Sequence, residues 1–167
     1  RAQQALLRSA LWVQQGEVQQ AADLLSQVAA QADAADRRNL KLAQFQLLKA
    51  AAEAAAAYEV ITELAQAAPD RQALWLGIEL AISRQDFATA AQWEKELKQL
   101  SGIDDFDWRY WRSRRLLGQF AELDAPTRSE LDALIDSLRS DRPDWFPVVT
   151  LVGHYAEVRG NRREAIE

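Results

Sequence analysis

Ser83-Arg-Gln-Asp-Phe-Ala-Thr-Ala90 is the stretch whose reading decides the fold. Gln85 stands at a turn, Asp86 carries the side chain of a helix N-cap, and Ala90 follows the turn position by five residues. A small side chain there lets the second helix of a hairpin lie close against the first. The arrangement recurs along the chain. Turn-like positions at Gly16, Ala52, Gln85, Gly118 and Gly160 are 36, 33, 33 and 42 residues apart, and Ala21, Ala57, Ala90 and Ala165 follow four of them at the same interval. Such a period predicts five helical hairpins.

Apolar spacing divides the chain in the same way. Leu131, Leu134, Ile135 and Leu138 recur at i, i+3, i+4 and i+7, as do Ala54, Ala57, Tyr58 and Ile61, and Val18, Ala21, Leu25 and Val28 form a comparable stripe. First helices are predicted near 2–14, 36–50, 70–83, 104–117 and 144–158. Second helices are predicted near 17–32, 53–67, 86–100 and 127–140, with a last one opening at about 161. Thr127-Arg-Ser-Glu130 has the form of a capping box, and Asn161-Arg-Arg-Glu164 a box-like start. Pro69 and Pro143 fall just beyond second helices, and Pro147 in a first turn, where proline is tolerated. The same stripes also fit a plain α-helical bundle.

Gly153, Gly160 and Ala165 have the spacing that tetratricopeptide repeats show between the small residue of helix A, the turn glycine and the alanine of helix B. Gln85-Asp-Phe87 and Gly118-Gln-Phe120 are similar to that family's Gly-x-aromatic turn, and Pro69 and Pro143 resemble its closing proline. The resemblance implies an all-α, right-handed superhelical solenoid of about five antiparallel helix pairs. It implies one domain over 1–167, with repeats near 2–37, 38–70, 71–103, 104–145 and 146–167, the last cut short as in a fragment of a longer chain. The fourth hairpin departs from the pattern. Trp111 stands where helix A wants a small residue, and Ala121-Glu-Leu-Asp-Ala-Pro126 adds about eight residues, so its helix B is expected to be displaced or entered by a longer loop.

Groove-facing positions follow from the resemblance. The fifth position of each repeat gives Leu6, Leu42, Trp75, Trp108 and Thr150; the ninth gives Ala10, Gln46, Glu79, Arg112 and His154. The twelfth gives Val13, Lys49, Ile82, Arg115 and Glu157, and Asn39 and Gln72 sit at second positions. Indole and guanidinium groups are favoured at binding hot spots, so Asn39, Lys49, Trp75, Trp108, Arg112, Arg115 and His154 are the candidate partner-binding residues. Two expectations compete for them: either they bind a segment bearing acidic and apolar side chains, or the tryptophans are buried between repeats and the arginines pair with Asp104, Asp105 and Asp107. A carboxylate clamp with Lys and Asn at the fifth and ninth positions is not supplied by Leu6 and Ala10 or by Leu42 and Gln46.

Composition narrows the chemistry. The 167 residues include one His and no Cys or Met, which excludes disulfides, thiolate metal sites and cysteine nucleophiles. Asp104-Asp105-Phe-Asp107 does not make an EF-hand, because Arg109 and Arg115 stand where that loop needs Gly and Glu. No catalytic residue, cofactor site or metal site is expected. Arg109 to Arg115, interleaved with aromatics, could stack bases, but a net charge of −5 opposes nucleic-acid binding. No stretch approaches the roughly 20 apolar residues of a membrane span. The expected role is a non-catalytic scaffold that binds a peptide or protein in a concave groove. The alternative is a structural or regulatory helical-repeat arm of a larger enzyme or of a secretion or assembly component. A homodimer through exposed repeat ends is also open.

Overall fold

The computed structural model describes residues 1–67 and 69–160. Within them nine α-helices succeed one another without a strand: α1 (Ala2–Gln14), α2 (Val18–Ala30), α3 (Ala34–Ala50), α4 (Ala54–Ala67), α5 (Arg71–Ser83), α6 (Phe87–Ser101), α7 (Phe106–Gly118), α8 (Ala125–Asp141) and α9 (Phe146–Val158). The helix expected from 161, with its box at Asn161–Glu164 and its Ala165, lies outside the described residues. The chain divides into two compact units, Arg1–Ala73 and Leu74 onward, with the boundary inside α5.

Three of the predicted turns share one local chemistry. Gly16, Ala52 and Gln85 all have left-handed backbones, with φ of 82°, 62° and 60°. That conformation lets the N–H of Glu17 reach Trp12 O, that of Glu53 reach Leu48 O and that of Asp86 reach Ala81 O, each at 2.8–2.9 Å. These bonds satisfy carbonyls that a helix end otherwise leaves bare. The carbonyls of Glu17, Glu53 and Asp86 then accept from the N–H groups of Ala21, Ala57 and Ala90, which opens the next helix. All three alanines are fully buried.

The fourth hairpin is built differently. Gly118, expected at the turn, is instead the last residue of α7, and a Cβ there would approach the Phe87 ring to 3.2 Å. The connection to α8 runs over 119–124 and contains a 3-10 turn at Phe120–Glu122, so the longer entry is present. The capping box expected at Thr127–Glu130 is not the start of that helix. Asp124 is the cap, accepting the Thr127 N–H at 2.9 Å, so α8 opens at Ala125, and the Glu130 carboxylate bonds Arg112 instead.

In the first unit Ala5, Leu25, Ala29 and Leu40 form a dry core, with Leu6, Leu24, Val28 and Leu47 packed against it. At about 25 cal/mol per Å² of apolar surface, such burial is the main term holding the hairpins together. Asp70 caps α5 through the Ala73 N–H and accepts Arg38 Nε at 2.6 Å, tying the head of α5 to α3. In the second unit α5 and α6 approach closely where Gly77 faces the Trp93 ring, Trp93 being 3% exposed. Trp111 is buried with its ring edge-on to Trp75 of α5 at 4.8 Å.

Candidate functional site

A hollow of about 430 Å³ lies along α5, α7 and α9 in the second unit. Its walls follow from the helix starts. Counted from Arg71, Phe106 and Phe146, the residues four places on are Trp75, Tyr110 and Thr150, and those eight places on are Glu79, Arg114 and His154. All six line the hollow, with Ile82 and Leu117 deeper in the same helices and Phe146, Pro147 and Leu151 at the α9 side. Residues four apart in a helix share a face, so each of the three helices contributes one residue to each of two cross-rows.

Of the residues expected to face a partner, Trp75 and His154 line this hollow. Trp108, Arg112 and Arg115 do not. The physical cause is a register difference of two residues: α7 begins at Phe106, after Asp105 has accepted the Asp107 N–H, and not at Asp104. The displaced residues point at neighbouring helices. Trp108 is 8% exposed, donates its indole N–H to Ile103 O at 2.9 Å and carries the Lys98 ammonium 4.1 Å from its ring centroid. Trp108 is therefore buried, as the second of the two competing expectations has it. Tyr110 and Arg114 take the places expected of Trp108 and Arg112.

Arg112 and Arg115 belong to an ionic network. Glu94 of α6 is 3% exposed and accepts Arg115 Nε at 2.6 Å, while Arg112 places a guanidinium nitrogen 3.9 Å from its other oxygen. Arg112 also forms a two-pronged bond to Glu130 of α8 at 2.6 and 2.9 Å. Burial pushes the Glu94 carboxyl above its ordinary value, against the opposing pull of Arg115 and Arg112. Glu130 is held below the usual carboxylate range by its bond to Arg112. The competing expectation had named Asp104, Asp105 and Asp107 as the acidic partners; the bonds of Arg112 and Arg115 instead go to Glu94 and Glu130 across helix interfaces. Arg109 meets that acidic turn, donating to the carbonyls of Asp104 and Asp105, and it also bonds Ser137 and Asp141 of α8.

Asn39 and Lys49 both lie exposed on α3, in the first unit. That unit has its own hollow of about 600 Å³ between α1 and α3, where Leu6, Ala10, Val13 and Gln46 line the wall as expected and Asn39 and Lys49 do not. The Lys49 ammonium lies 6.0 Å from the Phe45 ring centroid. Sequence reasoning missed Tyr110 and Arg114; the signal that finds them is Asp105 as the cap, which fixes the start of α7.

Among the described residues no helix is long and apolar enough to cross a membrane. No family model matches the chain, and no curated protein or solved structure matches it either.

Proposed function

We propose that the protein is a non-catalytic interaction scaffold, built from divergent tetratricopeptide-type hairpins, that binds a peptide or protein segment in the α5–α7–α9 hollow. One observation carries the reading. Two cross-rows of contact-forming side chains, with Trp75, Tyr110 and Thr150 in one and Glu79, Arg114 and His154 in the other, line an open cleft between three successive odd-numbered helices. Aromatic rings with few rotors lose little entropy on contact and offer apolar area together with a polar edge. The repeating cap chemistry at Gly16, Ala52 and Gln85 supports a helical-repeat origin.

A photo-crosslinking amino acid at Thr150, in the hollow, compared with the same group at Asp136, exposed on α8, tests this in the source cell. Adducts to a protein from position 150 and not from position 136 support the scaffold. Identical or absent adducts at both overturn it.

A second reading is favoured by α1, whose Leu7 and Leu11 are 64% and 58% exposed on one face. A helix with such a face suits a structural arm that docks end-on against further protein. Leu7→Gln with Leu11→Gln would abolish that docking and leave crosslinking from position 150 intact.

A further inference from the structure

Four arginines lie within seven residues on α7, and three of them are neutralised inside the protein: Arg109 by Asp141 at 2.7 Å, Arg112 by Glu130 at 2.6 Å and Arg115 by Glu94 at 2.6 Å. Arg114 is the exception. Among the described residues it has no carboxylate partner; its guanidinium lies over the Trp111 ring, 5.5 Å from the centroid, with Nη1 3.5 Å from the Tyr110 hydroxyl. It lines the hollow. A guanidinium set over an aromatic face has its plane restricted and still offers an edge of N–H donors, an arrangement suited to a carboxylate.

The surroundings place that carboxylate. Glu79 of α5 and His154 of α9 line the same hollow as Arg114. Arg114 is thus the lining cation that an incoming carboxylate would meet. In the same hollow Phe146 is 77% exposed and, with Pro147 and Leu151, offers an apolar seat. Resting on the reading of the hollow as a peptide groove, we infer that its ligand is an acidic peptide segment, in which an Asp or Glu side chain meets Arg114 and an adjacent aliphatic or aromatic side chain covers Phe146. The chain's net charge of −5 does not prevent this, because at physiological salt charges beyond about 8 Å are screened and Arg114 acts at contact.

The test is selection from a positional-scanning library of free decapeptides by the whole chain, followed by titration of the selected peptide against wild type, Arg114→Gln, Arg114→Lys and Trp75→Ala, each first checked for native helicity and cooperative unfolding. Wild type is expected to enrich Asp or Glu at one position next to an apolar residue. Arg114→Gln should weaken the selected peptide about tenfold or more and erase the acidic preference, Arg114→Lys should weaken it less, and Trp75→Ala should weaken binding without changing the preference. Selection of peptides with no acidic preference, or equal affinity for wild type and Arg114→Gln while Trp75→Ala still weakens binding, overturns the inference and leaves the groove standing. If wild type enriches no peptide, the groove reading falls and takes the inference with it. The enrichment by wild type decides the matter even if one variant fails to fold.

Discussion

The Glu94 carboxylate accepts Arg115 Nε at 2.6 Å with the two side chains only 3% and 11% exposed, so α6 and α7 are joined by a charge pair almost withdrawn from water. Such a pair is costly to break from one side. Removing the cation leaves an anion in a setting that water cannot reach.

Arg115→Ala is therefore expected to destabilise the protein by about 3 kcal/mol at neutral pH, measured by urea unfolding. The loss should shrink under mildly acidic conditions, since the raised affinity of Glu94 for a proton lets it become neutral. An equal loss at pH 5 and pH 8 would show that the stranded charge is not the cause.

Buried Glu94 and the paired carboxylates Glu130 and Asp70 respond to pH with opposite signs. Glu94 binds its proton more tightly folded than unfolded, so its favourable contribution is fully present below the unfolded value and disappears as pH rises through the folded one. Glu130, bonded to Arg112, and Asp70, bonded to Arg38, bind theirs less tightly folded. Their contribution is present above the unfolded value and is lost as pH falls through the folded one. The stability of Glu94→Gln relative to wild type should rise from pH 4 to pH 7, whereas that of Asp70→Asn should fall, as followed by unfolding midpoints across that range.

Gly77→Ala tests the close approach of α5 and α6. A Cβ would lie 2.8 Å from the Trp93 ring, which is 3% exposed. Overpacking costs about 1–3 kcal/mol, against at most about 1 kcal/mol of improved helix propensity. A net loss is expected in the thermal midpoint, and a gain would mean that the helices part freely.

Ala52 and Gln85 hold left-handed backbones that L side chains adopt only under strain, with φ of 62° and 60°. Replacing either by Gly should stabilise the protein by about 0.5–1 kcal/mol, while Gly16→Ala should destabilise it by a similar amount. Chemical unfolding of the three variants checks both signs together.

Local signals made the helices legible. The first unit's α1 has the predicted bounds, 2–14, because a left-handed glycine and a buried alanine five residues later are both written into the sequence. The start of α7 was less legible because Asp104, Asp105 and Asp107 all have cap-forming side chains, and only the backbone shows which of them accepts an N–H. The start of α8 offered the same ambiguity between Asp124 and Thr127. A shift of two residues on a helix rotates a side chain by more than half a turn. That is why Trp108 and Arg112 exchanged places with Tyr110 and Arg114. The pairing of Glu94 with Arg115 joins residues 21 apart on different helices, and periodicity within one helix carries no record of it.

The ring of Trp93 fills the volume that any side chain at position 77 would need. Neither position can drift alone: a larger residue at 77 demands a smaller one at 93. Descendants of this sequence should inherit the two sites as a couple, so that a change at one foretells a compensating change at the other.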